Sequence, residues 1–129
     1  MVAKIIGATD ARVGTNIIYE GATFTVRKID VSKTGKHGHA KCRIEAQNMF
    51  TGSKKIFVIP GHDKLEVPMV NKNKGQVLSL TEEKISIMDL ENFETLEIDI
   101  PEELKGEFSE NDNLEYWDVE GKFLIKRKL

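Results

Sequence analysis

Cysteine is nearly absent from this sequence: Cys42 stands alone in 129 residues. A single thiol cannot form an internal disulfide, which fits a reducing, intracellular compartment. Apolar runs long enough to span a membrane, about 20 residues, are missing as well. The first ten residues also lack the continuous apolar segment of a secretion signal. We therefore expect a cytoplasmic protein with no membrane partner.

The residue patterns that carry enzymatic chemistry are also missing. Gly35 and Lys36 match only the centre of a phosphate-binding P-loop, because Asp30 and His37 stand where that motif needs Gly and Ser or Thr. His37 and His39 could hold a metal ion with Cys42 or His62, but no second ligand pair has the spacing of a structural zinc site. No Ser–His–Asp or Cys–His arrangement can be recognised either. We expect no enzymatic activity, no bound metal and no bound cofactor.

Long helical periodicity is absent, and short β-rich runs take its place. Glycine, proline, asparagine and aspartate interrupt these runs at intervals of about 8–12 residues, which is typical of small β-barrels or sandwiches. The predicted strands of the first half are residues 17–19, 23–31, 40–47, 56–59 and 65–67. Five short strands in this length predict an SH3-like barrel.

Two of these strands have informative patterns. In residues 23–31 the apolar alternation slips by one near Arg27 and Lys28, which predicts a β-bulge there. Residues 40–47 alternate without fault, so Cys42 is expected to face the core as an inert thiol. Residues 56–59, Ile-Phe-Val-Ile, are predicted to form a buried strand.

The second half predicts a five-stranded barrel of the OB type. Its strands are expected at residues 76–80, 84–88, 95–100, 114–118 and 122–126. A helix of about two turns is expected in residues 101–108, since Pro101 suits a first helical turn and Leu104 and Phe108 share one face. A helix after the third strand is the OB-fold order.

The charge distribution divides the chain at the same place as the predicted boundary between the two barrels. Residues 1–69 hold 11 Lys and Arg against 6 Asp and Glu, giving +5, whereas residues 70–129 hold 8 against 15, giving −7. The segment 68–75, which contains a proline, two asparagines and a glycine, reads as the boundary. We predict a basic SH3-like domain over 1–69 and an acidic OB-fold domain over 70–129.

Residues 32–41, SKTGKHGHAK, have no apolar side chain larger than alanine and cannot be core. They connect two predicted strands, and Gly35 and Gly38 on either side of Lys36 permit sharp turns. Basic residues crowd this hairpin against one acid, Asp30, as expected for phosphate contact; they are Arg27, Lys28, Lys33, Lys36, Lys41 and Arg43. An ordinary basic surface would have the same composition.

The ten-residue segment 32–41 resembles the modification loop of the hypusine-containing translation factor five A family. The order of a basic SH3-like domain and an OB-like domain agrees with that family over nearly the whole chain. Because Met1 lies close to the first strand, the chain looks like the archaeal form. Bacterial elongation factor P is similar in its first two domains but has a third.

The resemblance implies a role for each residue of the loop. Lys36 would be the modified residue, receiving an aminobutyl group from spermidine through deoxyhypusine synthase, an enzyme that needs NAD. Contacts with that enzyme or with RNA would come from Lys33, Thr34, Gly35, His37, Gly38, His39 and Lys41. Arg27, Lys28 and Arg43 would form a supporting basic patch.

The resemblance also implies a function without catalysis. The factor would bind the ribosome, contacting ribosomal RNA and the acceptor end of peptidyl-tRNA, and would have no DNA partner. It would promote peptide-bond formation at poorly reactive sequences such as consecutive prolines, and would aid elongation and termination. The alternative is a general single-stranded RNA-binding module, for which Tyr116, Trp117 and Phe123 are candidate stacking residues.

Overall fold

The computed structural model describes residues 2–33 and 40–129. The chain divides into two compact units, Met1–Met69 (unit 1) and Val70–Leu129 (unit 2). The described residues form β-strands and two short 3₁₀ helices, so the predicted all-β class is confirmed. Within the described ranges, no helix has the length and apolar character needed to cross a bilayer.

Unit 1 is the SH3-like barrel, built from six antiparallel strands in the order β1-β6-β2-β3-β4-β5. The strands are β1 (Val2–Gly7), β2 (Asn16–Tyr19), β3 (Ala22–Ser32), β4 (Lys41–Asn48), β5 (Lys54–Pro60) and β6 (Lys64–Pro68). A 3₁₀ helix, Ala8–Asp10, follows β1. Its core is aliphatic and aromatic, centred on Ile17, Phe24, Val26, Ile44 and Phe57.

The bulge predicted in β3 is confirmed. The pairing of β3 with β4 shifts register between Val26 and Lys28, leaving Arg27 as the extra residue. The alternation predicted for β4 is confirmed too, because Cys42, Ile44 and Ala46 are buried while Lys41 and Arg43 are exposed. The bulge strengthens the local twist of β3 and marks the point beyond which most of its side chains are exposed.

Strand β5 is not fully buried, which corrects the sequence expectation. Phe57 and Ile59 face the core, but Ile56 is 53% exposed and Val58 is 58% exposed. The reason is that β5 pairs with β4 alone among the described strands and alternates its side chains between core and solvent. An apolar run of four residues therefore belongs to a half-buried edge strand.

Strand β1 was not predicted from the sequence. It pairs antiparallel with β6 and is the other outer strand of the sheet. Ile5 is 61% exposed and Ile6 is only half-buried, so its burial pattern gives no clear period of two.

Unit 2 has the strand order β11-β10-β7-β8-β9, and all its described pairings are antiparallel. The strands are β7 (Val70–Leu80), β8 (Lys84–Asp89), β9 (Thr95–Asp99), β10 (Asn113–Val119) and β11 (Lys122–Lys128). Numbered within the unit this is 5-4-1-2-3, and β9 and β11 approach each other. The arrangement confirms the OB-fold.

Two elements of unit 2 differ from their predictions. Strand β7 begins at Val70 rather than at residue 76, because Asn71 to Asn73 pair in register with β10 despite their polar side chains. The predicted two-turn helix is a single 3₁₀ turn, Glu102–Leu104. Gly106 has a φ of 81°, which ends the turn before a second could form.

Candidate functional site in the β3–β4 hairpin

The β3–β4 hairpin brings the two ends of the predicted modification loop together. Its register pairs Ser32 with Lys41, Val31 with Cys42 and Asp30 with Arg43. The chain therefore leaves β3 and enters β4 at adjacent positions on neighbouring strands. The predictions for six residues lie outside the described residues; these are Thr34, Gly35, Lys36, His37, Gly38 and His39.

The basic residues predicted around the loop lie on these two strands. Lys33 follows β3, Lys41 begins β4, and both are exposed. Arg27 occupies the bulge, where its Nε donates to Gln47 Oε1 at 3.0 Å. Lys28 and Arg43 are exposed farther along the hairpin. The five described cations thus share one hairpin.

The surface of this hairpin has a second acid besides Asp30, which corrects the sequence-based expectation of a single acid there. Glu45 pairs with Lys28 across the strands, and its Oε2 lies 3.6 Å from Arg43 Nη1. The Nζ of Lys28 lies 4.0 Å from Asp30 Oδ2. Exposed ion pairs of this kind contribute about 0–1 kcal/mol and exchange readily with another anion. The cations are thus oriented but remain accessible to phosphate.

The structure adds a contact at the base of the loop that sequence reasoning missed. The N–H of Gly61, in the turn between β5 and β6, donates to the carbonyl of Ala40 at 2.7 Å. A Cβ at position 61 would lie 2.9 Å from the Cβ of Ala40, 3.1 Å from its carbonyl oxygen and 3.2 Å from Thr9 Cγ2. Only the absence of a side chain lets this turn fix the residue before β4.

Replacing Gly61 with alanine is expected to lower the free energy of unfolding by about 2 kcal/mol, since two of the clashes involve backbone-fixed atoms of Ala40. Urea unfolding followed by circular dichroism measures this change. Gly7→Ala is the matched control, because its new Cβ would meet only the movable carboxylate of Asp10, at 3.1 Å. Equal losses in both variants would contradict the role assigned to Gly61.

Cys42 lies on the buried face of β4, within the hairpin, and has no exposed surface. Burial raises the pKa of its thiol, which favours the protonated, unreactive form. Among residues 2–33 and 40–129, no group of three or more His, Cys, Asp or Glu side chains is arranged to hold a metal ion.

The aromatic residues considered for RNA stacking occupy three different environments in unit 2. Tyr116 is 3% exposed, and its hydroxyl donates to Asp89 Oδ2, so its ring belongs to the core. Phe123 packs its edge against Tyr116, with ring centroids 6.0 Å apart. Trp117 points to the other face of β10, where it is half-buried.

Comparison with known proteins agrees with this architecture. Residues 4–62 match the family described as translation initiation factor 5A-like, N-terminal. A translation initiation factor 5A from Methanosphaera stadtmanae is 36% identical over 127 residues, covering 98% of this chain and 96% of the relative. One from Metallosphaera sedula is 41% identical over 116 residues, covering 88% of each.

Solved structures give the same relationship. A eukaryotic translation initiation factor 5A from Methanococcus jannaschii superposes with a TM-score of 0.88 at 37% identity, covering 98% of this chain and 94% of that one. A member of the same family from Naegleria fowleri has a TM-score of 0.78 at 28% identity, covering 99% of each.

Two small barrels in series, the first with a basic hairpin, define a two-domain, all-β class of translation factor. The matches extend over most of this chain and of its relatives. The chain belongs to the translation initiation factor 5A family, as the resemblance of residues 32–41 implied.

Proposed function

We propose that this chain binds the ribosome beside peptidyl-tRNA and promotes peptide-bond formation where the nascent chain reacts poorly, as at consecutive prolines. It also aids elongation and termination. The ribosome supplies the catalysis and the chain supplies positioning, so it is not itself an enzyme and binds no cofactor. It acts in the cytoplasm. Family membership is the basis of this proposal.

The observation that carries the proposal is the β3–β4 hairpin. The pairing of Ser32 with Lys41 places the end of β3 beside the start of β4. Lys33, after β3, and Lys41, at the start of β4, are both exposed and positively charged. Such a hairpin suits a loop that enters a pocket on an enzyme or a crevice in RNA.

Lys36 is the proposed point of attachment. Deoxyhypusine synthase, using NAD as hydride carrier, transfers the aminobutyl group of spermidine to the side-chain amine of Lys36. The bond between that group and the secondary nitrogen of spermidine breaks, 1,3-diaminopropane leaves, and the lysine gains a second amine. The extended side chain reaches the acceptor end of the tRNA. Contacts with the synthase or with RNA come from Lys33, Thr34, Gly35, His37, Gly38, His39 and Lys41.

Arg27, Lys28 and Arg43 support the loop by attracting RNA phosphates to the base of the hairpin. Phosphate contacts of this type orient a protein on RNA but do not read its sequence. The ion pairs of Lys28 with Asp30 and of Arg43 with Glu45 are open to solvent, so RNA binding exchanges one set of anionic partners for another.

Mass spectrometry of protein isolated from its native source tests the proposal. We expect the peptide containing Lys36 to carry the aminobutyl group, and the peptide containing Lys41 to be unmodified. Recombinant protein from a host without deoxyhypusine synthase is the unmodified reference. A native preparation with Lys36 unmodified throughout would refute the proposed role of this residue.

A further inference from the structure

Unit 2 is acidic overall, but its positive charges are gathered on one face. Of its eight Lys and Arg residues, five lie on the outer side of β7, β10 and β11: Lys72, Lys74, Lys122, Lys126 and Arg127. We call these five residues and Trp117 the basic face. Of the fifteen Asp and Glu residues of unit 2, one, Glu115, lies at an outward position of these three strands.

Trp117 is the centre of the basic face. Trp117, on β10, pairs with Lys72 on the neighbouring β7, and the Lys72 Nζ lies 4.9 Å from the centre of the Trp117 ring. The Lys126 Nζ lies 4.4 Å from the centre of the same ring. Lys126 is the extra residue of the bulge in β11, where the pairing with Glu115 and Tyr116 shifts register. Cation–π attraction at such distances holds both ammonium groups over the sheet.

The single acid of this surface is already committed to neighbours. Glu115 Oε2 accepts from Trp117 Nε1 at 2.9 Å, and Glu115 Oε1 accepts from Arg127 Nη2 at 3.2 Å. These contacts hold the pKa of Glu115 below its ordinary value. Glu115 therefore stays ionised and orients the ring and the guanidinium.

The cations of the basic face remain open to solvent. The side chain of Arg127 is 66% exposed, and Lys72, Lys74, Lys122 and Lys126 are exposed too. Five clustered cations repel one another, even though the unit has fifteen acidic residues that could lie between them. A surface that concentrates them matches a polyanion.

We propose that the basic face binds the phosphate backbone of RNA, as a second RNA contact separate from the β3–β4 hairpin. The choice of RNA rests on the proposed ribosomal function. The site is not the usual nucleic-acid face of an OB-fold, which lies on its second and third strands. Those are β8 and β9 here, where Glu97 and Asp99 accompany Lys84.

The test uses the whole chain with the six basic residues of the hairpin and its loop neutralised as R27Q/K28Q/K33Q/K36Q/K41Q/R43Q, so that the remaining affinity reports on unit 2. Into this parent we place K72Q/K126Q or the control K84Q/K105Q. The control removes the same charge from exposed lysines of the same unit that pair with Glu97, Asp99 and Glu102. The probe is a fluorescein-labelled oligouridylate of about 15 nucleotides, followed by fluorescence anisotropy in increasing KCl.

Each phosphate contact on single-stranded RNA contributes about 0.7 to the slope of log affinity against log salt. We expect K72Q/K126Q to flatten this slope by about 1.4 and to weaken binding on the order of tenfold near 0.1 M salt. The control should bind within about twofold of the parent, because its lysines contact no phosphate in this arrangement.

Trp117 is a positioning residue in this proposal, so its substitution should lower affinity without removing charge. We expect Trp117→Leu to weaken binding about threefold with an unchanged salt slope, and Trp117→Phe to recover most of the affinity. A phenylalanine variant as weak as the leucine variant would contradict positioning by the ring.

Two results would overturn the basic face as an RNA site. One is a parent that binds no RNA, which would leave the hairpin and the proposed function intact. The other is equal binding by K72Q/K126Q and K84Q/K105Q. Conversely, a parent that binds RNA as tightly as the unsubstituted chain would contradict the proposed contribution of Arg27, Lys28 and Arg43 to RNA binding. It would leave the proposal for the basic face intact.

Discussion

Replacing Lys36 with arginine is expected to abolish stimulation of peptide-bond formation at consecutive prolines while leaving the fold unchanged. The proposed modification requires a neutral amine with a free electron pair. Lysine provides one after losing a proton, but the arginine guanidinium is delocalised and stays protonated at any physiological pH. The charge at position 36 is kept and the attachment of the aminobutyl group is lost.

The measurement is translation of a reporter with a run of prolines in ribosomes depleted of the endogenous factor. The variant should fall to the level seen without added factor, and its thermal unfolding should match that of the unsubstituted chain. Lys64→Arg is the matched control, being the same substitution at an exposed lysine of β6, outside the hairpin. Full activity of Lys36→Arg after treatment with deoxyhypusine synthase, spermidine and NAD would refute the assignment.

Replacing Asp89 with alanine is expected to cost unit 2 about 3 kcal/mol of unfolding free energy. Asp89 is 4% exposed at the end of β8. Its Oδ1 accepts from the backbone N–H groups of Glu91 at 2.8 Å and Asn92 at 3.0 Å, and its Oδ2 accepts from the Tyr116 hydroxyl. Alanine would leave a buried hydroxyl and two turn N–H groups without this acceptor.

The same contribution should depend on pH. Burial alone would raise the pKa of Asp89, but hydrogen bonds from Tyr116, Asn92 and Glu91 outweigh it and hold that pKa below the ordinary value of 3.8. A carboxyl whose folded pKa is lowered stabilises the fold above its unfolded pKa and loses this contribution as pH falls through the folded one. The advantage over Asp89→Asn should therefore shrink below about pH 4.

Urea unfolding of the unsubstituted chain and both variants at pH 7 and pH 3 measures these differences. Asp89→Asn is the milder change, since its amide oxygen still accepts from the turn. Tyr116→Phe is a further control that removes only the hydroxyl donor. An unfolding free energy unchanged by Asp89→Ala, or a difference between Asp and Asn that does not vary with pH, would contradict this account.

The sequence predicted the β3–β4 hairpin well because its information is local. A slip in the apolar alternation at Arg27 is enough to locate a bulge, and the faultless alternation around Cys42 and Ile44 is enough to define which face is buried. The division into a basic and an acidic half likewise follows from composition. The predictions for residues 34–39 lie outside the described residues and stay predictions.

What the sequence could not predict depends on pairing between distant segments. Asn71 to Asn73 look like a linker until β10 is known to pair with them. The contact of Gly61 with Ala40 joins residues that are distant along the chain, and no sequence pattern predicts it. The basic face depends on a bulge in β11 and on two lysines 54 positions apart, Lys72 and Lys126.

The outer strand β5 bears on how this protein behaves at high concentration. An edge strand with two outward apolar side chains is a template for pairing with a second chain and growing into an aggregate. Here Ile56 and Val58 lie between Lys54 and Lys55 at one end and Pro60 at the other. Charge and a residue without an N–H at the ends of such a strand oppose self-assembly. The Lys55 ammonium is bound by Glu20, so the exposed Lys54 and Pro60 are the residues placed to act as gatekeepers against such pairing.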